Sequence, residues 1–264
     1  MEEAAARRAA EVLLDEHKSG APFRPFPLRD GPATISDAYD IQDRLVFLLR
    51  RQHGEIVGYK VGLTSAPMQS FCGINHPIAG AVLERRVHQS RTTVHRRDFG
   101  RLGLEFEIAI RIKSGIPVEE TPHTVATIQP YIDGVCAAIE LVDDRNAVYA
   151  NLDVRSLVAD NSWNAGIVLS DFVVEKTWPD LRAVLGKATK DGSPIGEGQG
   201  CDVLGHPFNS VTWLASQLAS RGKGLKAGQV VMTGSVMKTV FPPESGTYRF
   251  DVEGIGAVEV HVAG

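Results

Sequence analysis

At 264 residues, with 43% hydrophobic and 23% charged content, the chain can bury a sizeable core, which excludes a disordered polypeptide. Its formal net charge of -4 offers no basic field to a phosphate backbone, and no Lys/Arg run is interleaved with aromatics, so nucleic acid is not an expected partner. Cys72, Cys136 and Cys201 are odd in number and lack the paired spacing of a zinc or redox motif; they read as small buried residues in a reducing compartment. No apolar run reaches the length of a membrane span, and acids run through MEEAAARRAAEVLLDEHKSG, so the expected location is the cytoplasm with no membrane partner.

The first predicted element is a helix in which Ala6, Ala9, Ala10, Leu13 and Leu14 recur at helical spacing, stopped by Gly20 and Pro22. The proline-rich APFRPFPLRDGP is an extended connector. A second helix starts from Ser36 or Asp37 as N-cap, carries Ala38, Ile41, Leu45, Leu48 and Leu49 inward, and stops at Gly54. Residues 1–54 thus form a helical segment, and 55–264 a separate, strand-rich domain on which it packs. The β-patterned runs are EIVGYKVG, AGAVL, TTVH, LEFEIAIRI, GVCAAIELV, NAGIVLS, QVVMTGSV and YRFDVEGIGAVEVHV, separated by Gly/Pro/Asp turns. One further helix is predicted in NSVTWLASQLASRG, capped by Asn209 or Ser210 and ending near Gly222. The glycine-rich DGSPIGEGQGCDVLGHPFNS matches neither a P-loop nor a dinucleotide fingerprint and reads as a long turn. Strands without regularly alternating helices predict an α+β fold, a curled, barrel-like mixed β-sheet core with flanking helices.

Within LEFEIAIRI, Glu105 and Glu107 are out of character, because Glu is depleted in strands. Their spacing puts both carboxylates on one face, opposite Phe106, Ile108 and Ile110. That face either meets water or holds a cation. Glu140 repeats the anomaly in GVCAAIELVDDR, and several unpartnered buried carboxylates together need a cation. Three oxygen donors suit Mg²⁺ or Mn²⁺; zinc is disfavoured because no HxH or HxxxH pair lies near these acids. In GYKVGLTS, Lys60 shares a face with Gly58 and Gly62, room for a ligand to approach an ammonium; the alternative is an exposed strand-end lysine. The strand-end TGS, Thr233 to Ser235, offers a hydroxyl beside a glycine that could bind a carboxylate.

In order along the chain, GYKVGLTSAPMQ, GINHPIAG, LEFEIAIRI, AIELVDDR, ADNSWNAGIVLS, LGHPFNSVTWLA and QVVMTGS resemble the 2-keto-4-pentenoate hydratase and 4-oxalocrotonate decarboxylase group of the fumarylacetoacetate hydrolase superfamily, from about Ser36 to the C-terminus. The resemblance implies that Glu105, Glu107 and Glu140 bind the metal, that Lys60 is the active-site lysine, and that Ser235 lies near the substrate carboxylate, with Asp160 and Asn161 in the substrate-binding ADN segment. It implies a Mg²⁺- or Mn²⁺-dependent enzyme of aromatic-compound catabolism acting on a small 2-oxo or 2-hydroxydienoic acid, and a homo-oligomer such as a pentamer or decamer. Hydration of a 2-hydroxy-2,4-dienoate to a 4-hydroxy-2-oxo acid leads. Decarboxylation of a 4-oxalocrotonate-type acid, with Arg145 or another cation receiving the second carboxylate, is the alternative, followed by acylpyruvate C–C hydrolysis and a non-catalytic partner subunit. Two departures stand out. Many hydratases of the group have an acid just before the glycine of the segment matched by HPIAG, where this chain has Ile78-Ala79-Gly80, and Trp163 intrudes where small residues are usual.

Overall fold

A computed structural model describes residues 1–27, 31–118, 122–174 and 177–264. Leu28, Arg29 and Asp30 of the predicted connector lie outside the described residues. The α-helices are α1 (Glu3–Ser19), α2 (Ile35–His53), α3 (Ala66–Phe71), α4 (Val125–Ile128), α5 (Val154–Ala159) and α6 (Pro207–Ala219). The strands are β1 (Ile56–Gly62), β2 (Ile78–Leu83), β3 (Val87–Gln89), β4 (Thr92–His95), β5 (Leu102–Ile112), β6 (Ile132–Asp143), β7 (Asn164–Leu169), β8 (Val173–Val174), β9 (Leu185–Lys190), β10 (Ser193–Gln199), β11 (Val230–Ser235), β12 (Gly246–Val252) and β13 (Gly256–Ala263).

The larger sheet runs β2-β1-β11-β5-β6-β7-β3, with β8 on the far end of β6, and the smaller runs β10-β9-β12-β13-β4. Both mix parallel and antiparallel pairs and, among the described residues, neither closes into a barrel.

The even-numbered face of β5 meets the smaller sheet. Phe106 is fully buried there, its ring centre 5.5 Å from that of Phe250 on β12. The odd-numbered face, with Glu105 and Glu107, looks the other way, and on β6 Glu140 shares it because Glu105 and Glu140 are direct register partners. Helices α1 and α2 pack together, α2 rests on α5 and β2, and Ala10, Leu13, Ile41 and Leu45 join the same apolar cluster as Phe250.

Element ends follow capping chemistry. The N-cap of α2 is Thr34 rather than Ser36 or Asp37; its hydroxyl accepts from the Asp37 N–H while the Asp37 carboxylate accepts from the Thr34 N–H, a reciprocal box that satisfies two orphan donors. The cap of α6 is His206 rather than Asn209 or Ser210, with Pro207 in the first turn and the His206 imidazole accepting from the Phe208 N–H, because proline costs nothing where no intrahelical N–H bond is formed. The glycine-rich run is not a turn: Ser193–Gln199 pairs with β9. Its glycines mark close approach of another backbone, since a Cβ at Gly198 would sit 2.0 Å from Val236 O and one at Gly200 1.8 Å from Leu181 O. Only Cys136 of the three cysteines is buried; Cys72 and Cys201 are partly exposed, and all three are free thiols.

Candidate metal centre and active site

Glu105, Glu107 and Glu140 each present a carboxylate oxygen within 4.8 Å of the others. The ladder explains the convergence: β5 delivers two acids to one face by alternation, and the antiparallel register sets Glu140 beside Glu105. Glu107 and Glu140 are completely buried and Glu105 is partly exposed.

Each carboxylate is aimed by one neutral donor. Asn164 Nδ2 donates to Glu140 Oε1 at 2.8 Å, the Gly234 N–H to Glu107 Oε2 at 2.7 Å, and the Thr239 hydroxyl to Glu105 Oε1 at 2.6 Å. Gly234 sits where the β11–β5 register shifts between Met232 and Ser235. Its φ of 112° and the 2.4 Å from its virtual Cβ to Thr64 Oγ1 leave room for no other residue. Asn164 follows three residues in left-handed backbone, Asn161, Ser162 and Trp163, a costly conformation held by surrounding bonds.

Lys60 on β1, only 5% exposed, brings its ammonium 3.3 Å from Glu140 Oε2 as an ion pair. Burial opposes its charge, but the charges of Glu140, Glu105 and Glu107 outweigh that and hold its pKa above the ordinary lysine value. Burial first, then the charges of Glu140 and Glu105, raises Glu107 well above the usual carboxylate range. Burial lifts Glu140 to about 7, against the lowering by Lys60. Glu107 Oε1 and Glu140 Oε2 are buried and, among the described residues, accept no hydrogen bond of good geometry. One ammonium among three clustered carboxylates, two of them fully buried, leaves an all-oxygen donor set that suits a hard divalent cation, so the three acids form a candidate divalent-metal site.

Glu105 and Ser235 open into a cavity of about 560 Å³. Gly62 also lines it, and the Lys60 ammonium, which does not, lies 3.0 Å from where a Gly62 Cβ would stand. The Ser235 hydroxyl accepts from the Phe106 N–H at 3.1 Å and reaches Phe106 O at 3.3 Å, so it is held at the metal end of the cavity. Ile78 is buried on the Lys60 face, 3.5 Å from the virtual Cβ of Gly62, while Ala79 turns to the helical side. An alkyl group therefore stands beside the lysine.

Other sequence-predicted residues lie elsewhere. Asp160 accepts from Arg145 Nη2 at 2.7 Å and meets His17 Nε2 at 2.5 Å. Asn161 brackets Ala81, accepting from its N–H at 2.7 Å and donating to its carbonyl at 2.9 Å. Neither lines the cavity at Glu105. Arg145 is buried and also donates to Glu16 and to the Ala21 carbonyl, so it is no receptor for a substrate carboxylate. Trp163 packs edge-on against Phe23 and Tyr149; Tyr149 lines the cavity and Trp163 does not. Asn164, Gly234 and Thr239, which aim the three acids, carried no signal of their own in the sequence; Gly234 was visible only as the neighbour of Ser235.

A curled mixed sheet holding three convergent glutamates and a buried lysine, with Glu105 opening into a cavity, defines an enzyme of the metal-dependent kind. Residues 71–263 match the family model described as fumarylacetoacetate (FAA) hydrolase C-terminal, and the chain belongs to that family. A 2-keto-4-pentenoate hydratase of Burkholderia vietnamiensis is 34% identical over 239 residues, 88% of each chain. A 4-oxalocrotonate decarboxylase of Pseudomonas putida is 31% identical over 266 residues, 95% of this chain and 96% of its own. Among solved structures, 4-oxalocrotonate decarboxylase from Pseudomonas putida G7, complexed with magnesium and adipate, superposes with a TM-score of 0.91 at 26% identity, covering 99% of this chain and 98% of that one. Among the described residues, no helix is long and apolar enough to cross a membrane.

Proposed function

We propose that the chain is a divalent-metal-dependent hydratase, using Mg²⁺ or Mn²⁺, that adds water to a 2-hydroxy-2,4-dienoate to give a 4-hydroxy-2-oxo acid in the catabolism of aromatic or related compounds. The observation that carries the reading is the convergence of Glu105, Glu107 and Glu140 around a buried Lys60, with Glu105 lining a cavity, in a chain whose relatives include a hydratase covering 88% of it. A divalent ion held by these acids supplies Lewis acidity toward a 2-oxo acid head group.

The chain's own groups do the rest. Lys60, kept protonated by the carboxylates around it, holds a proton at Nζ beside Gly62, which lines the cavity, and exchanges it with the dienol as the carbon skeleton ketonises. Ser235 faces the substrate carboxylate. Asp160 and Asn161 serve the substrate site through the left-handed segment they anchor, which presents Asn164 to Glu140. The working particle is a homo-oligomer, a pentamer or decamer, which sedimentation velocity tests.

A decarboxylase is the second reading. It is favoured by the 0.91 TM-score to the solved decarboxylase and by Ile78 standing as an alkyl group beside Lys60. The test is the decay of dienol absorbance of 2-hydroxypenta-2,4-dienoate with and without Mg²⁺, with mass spectrometry of the product. A Mg²⁺-dependent gain of one water supports the hydratase. No hydration, with CO₂ released from 4-oxalocrotonate, replaces it by the decarboxylase.

A further inference from the structure

The cavity above Glu105 is polar at its metal end and apolar along most of the rest, where Leu63, Met68, Phe71, Tyr149, Met237 and Phe241 form the wall. Met68, Phe71 and Phe241 remain 39%, 55% and 36% exposed. Large apolar side chains gathered at one mouth mark a surface that meets an apolar group.

Two rings of this wall are fixed from behind. The Arg101 guanidinium lies 4.9 Å from the centre of the Phe241 ring and 5.8 Å from that of Tyr149. Fully buried Asp144 accepts from Arg101 Nε at 2.8 Å and from the Tyr149 hydroxyl at 3.2 Å. Asp144 thereby neutralises Arg101, which does not line the cavity, and locks both supports of the aromatic wall. Apart from Glu105, the charged residues among the described lining are Asp202 and Lys238, of opposite sign and both exposed.

We infer that Tyr149 and Phe241, held by the Arg101–Asp144 pair, select substrates whose end remote from the C1 carboxylate is an uncharged alkyl or aryl tail, and disfavour a second carboxylate there. The inference rests on the reading of the metal end as the site for a 2-oxo or 2-hydroxydienoic acid head group. A tail carboxylate would lose water against two aromatic rings, and an exposed lysine at the rim returns little of that loss. Each added methylene, by contrast, finds apolar surface to cover.

The test separates the tail from the chemistry by using saturated 2-oxo acids, which offer the head group but no diene to hydrate. Calorimetric titration of the Mg²⁺-loaded protein with 2-oxopentanoate, 2-oxooctanoate and 2-oxoheptanedioate should show 2-oxooctanoate binding at least about tenfold more tightly than either of the others. Phe241→Ala should shrink that preference at least about fivefold, and Phe241→Leu should restore part of it. Equal Kd values, tighter binding of the dioate, or an unchanged preference in Phe241→Ala overturns the inference. Hydration of dienoates is read independently. The expected order of Kd without hydration of any dienoate rejects the hydratase and leaves the tail assignment standing; hydration with a flat order does the reverse; no binding of any 2-oxo acid rejects both.

Discussion

Asn164 holds Glu140 by a 2.8 Å hydrogen bond from Nδ2 to Oε1, which turns the other oxygen, Oε2, toward the Lys60 ammonium 3.3 Å away. A carboxylate that gives one oxygen to a fixed donor presents the other in one orientation. Partners that orient metal ligands in this way are worth about 10–100-fold in metal affinity. Asn164→Ala is therefore expected to weaken Mg²⁺ or Mn²⁺ binding by about that factor, measured by calorimetry at constant pH. An unchanged Kd would mean that the β6–β7 ladder alone orients Glu140.

Glu107 accepts the Gly234 N–H through Oε2, leaving Oε1 without a donor. Glu107→Gln keeps the shape and one acceptor but removes a charged ligand, so the fold should survive. In the parent, a metal at about 100 times its Kd should add about 2.7 kcal/mol of stability. That increment should disappear in Glu107→Gln, while the metal-free variant melts close to the metal-free parent, because burial already holds the Glu107 carboxyl neutral there and Gln keeps its shape. A variant still stabilised by Mg²⁺ as strongly as the parent would exclude Glu107 from the ligand set.

The raised carboxylates fix a pH dependence with a definite sign. Glu140 moves from 4.5 when exposed to about 7 when folded, and Glu107 is raised as well. A group with a raised folded pKa favours the folded state below its unfolded value, and that contribution is lost as pH rises through the folded value. For the metal-free protein, stability should therefore fall between about pH 4.5 and pH 7 through Glu140, and Glu107 acts in the same direction. Metal binding must displace the retained protons, so affinity should rise across the same window, with proton release detectable in buffers of different ionisation enthalpy. Melting of chelator-treated protein that is flat or rising over this range would contradict the burial assigned to Glu140.

Arg145 is a fastener. It joins α1, through Glu16 and the Ala21 carbonyl, to Asp160 at the end of α5, and both Arg145 and Asp160 are buried. Arg145→Met leaves the Asp160 carboxylate with the His17 imidazole as its remaining side-chain partner among the described residues, and breaking a buried pair from one side costs about 3–5 kcal/mol. Chemical denaturation should report a loss of that order, with α1 becoming the first site of proteolysis. A loss near zero would show that water or His17 replaces the guanidinium.

The acids of the site were legible in the sequence because two glutamates two apart in an apolar strand, repeated by a third in the next, conflict with local propensity, and such conflicts concentrate at functional sites. Gly58, Lys60 and Gly62 were legible on one face for the same period-two reason. What orients the acids was not: Thr239 and Asn164 come from segments whose approach depends on the register shift in β11 and on the left-handed turn at Asn161–Trp163, and neither follows from periodicity. Strand β10 was hidden because its alternate glycines read as a loop, although Gly196 and Gly198 are there to let Met237 and the Val236 carbonyl pass close by. Arg145 and Asp144 look alike in AIELVDDR, yet one fastens α1 and the other fixes the aromatic wall, a distinction made only by packing across the chain.

Lys60 has two separable parts to play, counter-charge to the acids and holder of a proton for the substrate. As a counter-charge it competes with the metal, since an ammonium 3.3 Å from Glu140 repels a dication bound to the same carboxylate. As a proton holder it is useful only if turnover needs its Nζ. Lys60→Met removes the charge and keeps much of the stem, and should leave metal affinity at pH 8 no weaker than in the parent, while kcat falls by about 10²–10⁴-fold. Lys60→Arg should not rescue turnover, because a planar guanidinium of much higher pKa can neither fit beneath Gly62 nor exchange the proton readily. Metal affinity collapsing together with kcat would reduce Lys60 to a structural counter-ion, and full kcat in Lys60→Met would remove it from the chemistry altogether.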